Sequence, residues 1–363
     1  MIVIAKRGWV AGQFCGPLRL EVVQGRLVGF RAAEAGETGD LEVGFAGPAL
    51  TDLQVNGAGG VMLNSRPDAE GIAHIIRTLR LRGTGWAMPT LITCEPERLT
   101  RAVDAAIEAF GMEGFVGLHI EGPHLNPAKR GTHQAQFIRP FDDRTMTDLQ
   151  RLRARDIPVM LTLAPECVPL PVIQELARMG VVVSGGHSMA DAAQTRAALA
   201  AGLRCFTHLY NAMPAMTSRA PNLLGAAIAS EAYAGIILDG HHVDFTMAQI
   251  ACQARPLPDR MFMVSDAMAT IGGPDHFELY GQTIRLKDGA LVNAEGALAG
   301  AHTDLVHCLR NAVTRMGMTV ETAYRMAALV PRDAMGLARP DLAAGLPVAE
   351  LLLLDDQLQH VTV

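Results

Sequence analysis

Eight short apolar runs, separated by segments of helical periodicity, restrict what this chain can fold into more than any other feature. They fall at residues 50–55, 85–91 (GWAMPTL), 115–120 (FVGLHI), 157–164 (IPVMLTLA), 181–186 (VVVSGG), 205–210 (CFTHLY), 234–239 (AGIILD) and 260–266 (RMFMVSD). Short runs bounded by turn residues read as buried strands. The segments between them, such as DAEGIAHIIRTLRLRG, PERLTRAVDAAIEAF and MADAAQTRAALAAG, carry helical patterns. Strands alternating with helices imply parallel pairing through crossover helices, and eight of them imply a closed (β/α)8 TIM-type barrel. An open doubly wound sheet is the structural rival. Polar residues concentrated at strand ends favour the barrel.

The flanks read differently. Residues 1–47 alternate in the β manner (LRLEVVQGRLVGF), and the tail LPVAELLLLDDQLQHVTV looks like short strands around an Asp-Asp turn. We therefore expect residues 1–47 with 341–363 to form a small β-sandwich domain, and residues 48–340 to form the barrel. The segment 277–300 reads as β-hairpins inserted after the eighth strand.

Composition narrows the function classes. A chain that is 49% hydrophobic, with a net charge of −6 and no long charge runs, suits a globular fold and argues against nucleic acid as a partner. An anionic substrate would need a local positive site against that background. The start, MIVIAKRGWV, lacks a signal-peptide run, and no stretch approaches a membrane span. Cysteines at 15, 94, 167, 205, 252 and 308 form no CxxC pair. Reduced thiols and a cytoplasmic location are the expectation.

In a barrel, chemistry sits at the C-terminal ends of the strands. There the sequence places Gln54 and Asn56, Glu121, His187, His208, the DGHHVD cluster and Asp266. A lone histidine is usually structural. Two on consecutive strands, together with Glu121, make a set of two imidazoles and a carboxylate, of the kind that binds a catalytic zinc. Iron, cobalt or manganese would also accept those donors. Asp266 could simply cap a turn, or it could take a proton from an activated water and return it to a leaving amine. The only lysines are Lys6, Lys129 and Lys287, and none ends a barrel strand. That argues against Schiff-base chemistry.

Taken together, LTDLQVNGAGG, GLHIEGPHLNPAKRGTH, SGGHS, FTHLYNAM, DGHHVD and VSDAMAT resemble the amidohydrolase superfamily and, within it, the N-acetylglucosamine-6-phosphate deacetylase family. The resemblance implies hydrolysis of the acetamide of an amino-sugar 6-phosphate. It implies metal ligation by Glu121, His187 and His208, with Asp266 as general base and then acid, and His133 polarising the amide carbonyl. Thr132 would line the pocket, Asn211 and Ala212 would contact the sugar, and Arg219 and His242 the phosphate. Ala299, Gly300 and Ala301 would reach the substrate through backbone. In relatives the arginine comes from the neighbouring subunit, so a homodimer or higher assembly is implied. Many superfamily members carry His-x-His where this chain has Gln54-x-Asn56, and amides are poor zinc ligands. One divalent ion per subunit, zinc first among the options, is therefore expected, with Gln54 hydrogen-bonding near the metal site and Asn56 bracing the loop. The galacto epimer of the substrate is an alternative. A cyclic-amide hydrolase would carry His-x-His and a lysine on strand four, both missing here; a non-catalytic sugar-phosphate sensor would have no need of Asp266.

Overall fold

The computed structural model describes residues 1–292 and 298–363. Eight parallel strands run in sequence order around a barrel: Leu50–Val55, Thr84–Ile92, Leu118–Glu121, Val159–Leu163, Val182–Gly185, Cys205–Phe206, Tyr233–Ile236 and Met261–Met263. The first and last strands meet through a parallel bridge between Val55 and Ala267. Asp266 N–H donates to the Gln54 carbonyl (3.0 Å) and Asn56 N–H to the Ala267 carbonyl (2.8 Å). All eight expected strands are present, most with shorter ends. The sixth stops at Phe206 because His208 and Tyr210 adopt positive φ (30° and 80°), which a ladder does not tolerate.

Helices lie between the strands, and aspartates start several of them. The carboxylates of Asp68, Asp142 and Asp304 accept the free amides of Gly71, Thr145 and His307, and Asp191 forms a capping box with Gln194. Apolar faces such as Ile72, Ile75, Ile76 and Leu79 on helix Ala69–Arg80 pack against the barrel exterior.

Inside the barrel, alternate residues of a strand point the same way, so the interior stacks in layers. Met88, Met160, Val182 and Cys205 belong to one apolar cluster. Two residues further along their strands lie Thr90, Thr162, Ser184 and Thr207, joined by His119. The His119 ring lies 3.3 Å from Thr90 Oγ1 and 2.8 Å from Thr162 Oγ1; Thr207 Oγ1 lies 2.6 Å from both Thr162 Oγ1 and Ser184 Oγ. Glu121 stands one layer above His119.

The two chain ends share one six-stranded sheet. Leu351–Leu354 pairs antiparallel with Leu41–Pro48, which runs parallel to Ile2–Val10. Its core includes Val3, Leu20, Leu27, Val43 and Leu353. Tyr324 ties this sheet to the barrel, packing on Trp9 and Phe45 and donating its hydroxyl to the Pro48 carbonyl at 2.9 Å. The expected hairpins are strands His276–Leu279, Gln282–Lys287 and Ala290–Val292; the part of that expectation at 293–297 lies outside the described residues. Among the described residues no helix is long and apolar enough to cross a membrane.

Candidate active site

Strand ends gather the expected residues into one cavity of about 180 Å³. Asn56, Glu121, Thr132, His133, His187, His208, Asn211, Ala212, His242, Asp266 and Gly300 line it. Besides Ala212 (φ 51°) in the loop after the sixth strand, three strand-end residues hold the left-handed conformation that side chains rarely adopt: His187 (φ 48°), His208 (φ 30°) and Asp266 (φ 50°). Each such residue costs roughly 1–3 kcal/mol, and its place at the top of a strand turns the side chain over the barrel mouth.

Glu121 Oε1 lies 3.1 Å from His187 Nε2 and 2.9 Å from His208 Nε2, and the two nitrogens are 3.1 Å apart. His187 Nδ1 faces the Lys129 carbonyl at 2.8 Å, which must accept; the proton is then on Nδ1, and Nε2 turns a lone pair toward Glu121. Two lone pairs at that distance repel unless a cation lies between them, so this donor set fits a divalent metal. A wider grouping of Glu121, His133 and His187 also falls within 4.8 Å. The tighter triangle with His208 is the better ligand set, because His133 Nε2 stands 3.9 Å from Glu121 Oε2. Burial alone would raise the Glu121 carboxyl; with no cation in the triangle, protons on the Nε2 atoms of His187 and His208 would outweigh burial and hold the group well below the usual range. His208 moves upward: the Glu121 bond and charge outweigh its burial.

Gln54 and Asn56 share a job. Gln54 Nε2 donates to Glu121 Oε1 (3.1 Å) and to Asp266 Oδ1 (3.2 Å). Asn56 Nδ2 donates to Asp266 Oδ1 at 2.6 Å. Gln54 thus bonds a member of the triangle. Asn56 does more than brace a loop, since its side chain holds Asp266. Among the described residues no donor reaches Asp266 Oδ2. Burial, then the charge of Glu121, pushes Asp266 up to about 6.

His133 Nδ1 lies 2.7 Å from Thr93 Oγ1 and 3.4 Å from the Thr93 amide. With Nδ1 accepting from Thr93, the ring proton sits on Nε2 and points into the cavity. Burial, reinforced by His187, lowers His133 to about 3, so the ring is neutral. His242 is clamped from behind. Asp239 Oδ2 meets His242 Nδ1 at 2.7 Å, and Oδ1 accepts the amides of His241 and His242. Burial opposes ionisation of Asp239, yet the His242 bond wins and lowers it to about 2.

The remaining expected residues lie on or beyond the cavity wall. The amides of Ala299 and Ala301 are already spent on the carbonyls of Leu291 and Asp266 (3.0 Å each), leaving Gly300 as the member of that trio on the cavity wall. Its φ of 71° favours glycine, and a Cβ at this position would collide with the Met268 side chain. Arg219 is exposed and is not part of the lining. The glycines after Asn56 turn away from the cavity: Gly59 packs on His74 and Thr78 of the first helix. Thr93, which orients His133, has no sequence signal beyond its polar character at a strand end; Asp239 opens the DGHHVD cluster, but its pairing with His242 is seen only in the structure.

No protein-family model matches the chain. It is 37% identical over 352 residues to the N-acetylgalactosamine-6-phosphate deacetylase of Shewanella sp. (93% of this chain, 88% of the relative). It is 32% identical over 311 residues to the N-acetylglucosamine-6-phosphate deacetylase of Haemophilus influenzae (83% and 81%). The solved N-acetyl-D-glucosamine-6-phosphate deacetylase of Mycobacterium smegmatis superposes with a TM-score of 0.86 at 29% identity, covering 99% of this chain and 97% of that one. The enzyme from Pasteurella multocida gives 0.87 at 27% identity, covering 99% and 97%. With relatives above 30% identity matching over most of its length, the chain belongs to the N-acetylglucosamine- and N-acetylgalactosamine-6-phosphate deacetylases of the amidohydrolase superfamily.

Proposed function

We propose that the chain hydrolyses the acetamide of N-acetyl-D-glucosamine 6-phosphate to D-glucosamine 6-phosphate and acetate. The observation that carries this reading is the convergence of Glu121, His187 and His208 beside Asp266, which lines the same cavity and whose Oδ2 no donor among the described residues occupies. Glu121, His187 and His208 would hold one divalent ion, zinc first among the options; when bound, it supplies Lewis-acid polarisation and acidifies water. Asp266 Oδ2 takes the proton of the attacking water and later delivers it to the leaving nitrogen. His133 Nε2–H donates to the carbonyl oxygen as negative charge develops there. Thr132, Asn211, Ala212 and Gly300 border the sugar. His242, held by Asp239, and Arg219 from a neighbouring subunit grip the phosphate. The enzyme would act as a cytoplasmic homodimer or larger assembly, with residues 1–47 and 341–363 as its small β domain and 48–340 as the catalytic barrel.

A second reading, the galacto epimer, has one observation in its favour: the relative at 37% identity is a galactosamine enzyme. Acetate release from both epimers, with and without the 6-phosphate, tests both readings. Metal-loaded protein is expected to deacetylate the phosphorylated gluco substrate, to stop on strong chelation, and to contain one ion per chain. Absence of acetate release after addition of zinc, iron, cobalt or manganese would overturn the reading, and preference for the galacto epimer would replace it with the second. Two tightly held ions per chain would overturn the single-metal assignment.

A further inference from the structure

A larger cavity, about 550 Å³, lies outside the proposed catalytic pocket. Two arginines and four histidines line it: Arg82, Arg310, His241, His302, His307 and His360. The proposed reaction uses none of them. Two carboxylates, Asp239 and Asp304, share the wall, and both are already committed. Asp239 is taken by His242 Nδ1 and two amides. Asp304 accepts from Arg82 Nε (3.0 Å) and Nη2 (2.7 Å), and caps the next helix through the amide of His307 at 2.9 Å.

The donors are left with less to do. Among the described residues the guanidinium of Arg310 and the rings of His241 and His360 have no hydrogen-bond partner. His302 spends Nδ1 on Thr270 Oγ1 (2.9 Å) and keeps Nε2. His307 lies between Thr303 Oγ1 (3.0 Å) and Asn311 Nδ2 (3.3 Å), so it is wall rather than donor. A turn of the inserted hairpin closes over His241: Gly289, at φ 83°, passes so near that a Cβ there would lie 2.9 Å from the ring. The histidines do not form a metal cage, because among the described residues the cluster of ligand atoms close enough for one is Glu121, His133 and His187.

We propose that this second cavity binds a phosphoryl anion, either inorganic phosphate or the phosphate of a small monoester. Arg310 and the outer face of Arg82 supply charge, and His241, His302 and His360 supply directed N–H donors. A volume of this size admits a sugar phosphate as well as the free ion. Asp239 forms the partition: the carboxylate that lines this cavity is the one that orients His242 in the other.

Equilibrium dialysis with radiolabelled inorganic phosphate tests this. Four proteins are compared: wild type, His242→Asn/Arg219→Ala, and that double variant with either Arg310→Ala/His360→Ala or Arg310→Gln added. Asparagine at 242 keeps an N–H donor for Asp239 while the pair of changes removes the phosphate contacts of the catalytic pocket. The His242→Asn/Arg219→Ala protein is expected to retain a phosphate that adding Arg310→Ala/His360→Ala weakens about tenfold or more. Arg310→Gln, a milder change at a half-buried position, is expected to weaken the same phosphate less. Competition by unlabelled glucosamine 6-phosphate in the His242→Asn/Arg219→Ala protein separates the two sources: displacement identifies a monoester site, and its absence identifies a site for the free ion. Failure of the His242→Asn/Arg219→Ala protein to bind any phosphate overturns the proposal. So does an isotherm unchanged by both Arg310 variants.

Discussion

Gln54 and Asn56 decide which oxygen of Asp266 is free to act. Both amides donate to Oδ1, so the carboxylate cannot rotate without losing two buried hydrogen bonds, and Oδ2 stays turned to the cavity. Burial and Glu121 raise this carboxyl to about 6, a useful value for a group that must first accept a proton and then give it back. The sign of the pH dependence follows. The base works ionised, so kcat/KM is expected to fall as pH drops through the Asp266 pKa. A cation held by Glu121, His187 and His208 favours the ionised form and can only lower that pKa. The acid limb should therefore have its midpoint at or below about 6; a midpoint above 7 would assign the limb to another group. Asp266→Asn keeps the size and, with its carbonyl oxygen in the Oδ1 position, both amide contacts while abolishing proton transfer. It is expected to retain metal but lose turnover by roughly a hundredfold to ten-thousandfold. Metal content by elemental analysis and single-turnover rates check both halves.

Among elements, the barrel interior explains how a polar site can stand on an apolar floor. The belt of Thr90, His119, Thr162, Ser184 and Thr207 lets five strands share hydrogen bonds directly beneath Glu121. Burial lowers His119 to about 4, so the ring is neutral and can donate at one nitrogen while accepting at the other. Thr162→Val preserves shape but strips two neighbours, His119 Nε2 and Thr207 Oγ1, of a buried partner. We expect a loss of roughly 1–3 kcal/mol, read as a lower urea midpoint with an unchanged m-value. No change in midpoint would mean that the belt contributes nothing net. The strands carrying this belt were legible in the sequence because buried parallel strands are continuous apolar runs. The triangle of Glu121, His187 and His208 was legible because its members stand at the same end of the third, fifth and sixth strands. The role of Asn56 was not, since it depends on the first strand meeting the eighth 210 residues away. Nor was the commitment of the Ala299 and Ala301 amides, because backbone pairing of an irregular loop leaves no mark in side-chain pattern. The partners Thr93 and Asp239 are ordinary polar residues until His133 and His242 are seen against them.

At the scale of the whole molecule, the open question is where the phosphate meets its second cation. His242 faces the cavity from within the same chain, but Arg219 is exposed and stands outside the lining. A neighbouring subunit that lends Arg219 would complete the site, and a mixed assembly can tell lending from use at home. Arg219→Ala alone is expected to reduce kcat/KM for the phosphorylated sugar about ten- to a hundredfold, the loss of a charge-assisted bond, and to leave the unphosphorylated sugar unaffected. Asp266→Asn alone leaves every site without its base. In a dimer pairing one of each, the Arg219→Ala subunit keeps its own Asp266 and borrows an intact Arg219, while the other site has neither. Random pairing of equal amounts then restores about one-quarter of wild-type activity at low substrate, since half the dimers carry one good site in two, and the purified mixed dimers alone should reach about one-half. Use of Arg219 within its own chain predicts no recovery, because no subunit in the mixture holds both residues. Co-expression with two affinity tags, followed by assay of the doubly purified fraction, reads the answer directly. Recovery in that fraction places the phosphate at a subunit boundary; its absence, with Arg219→Ala alone still impaired, assigns Arg219 to the site of its own chain.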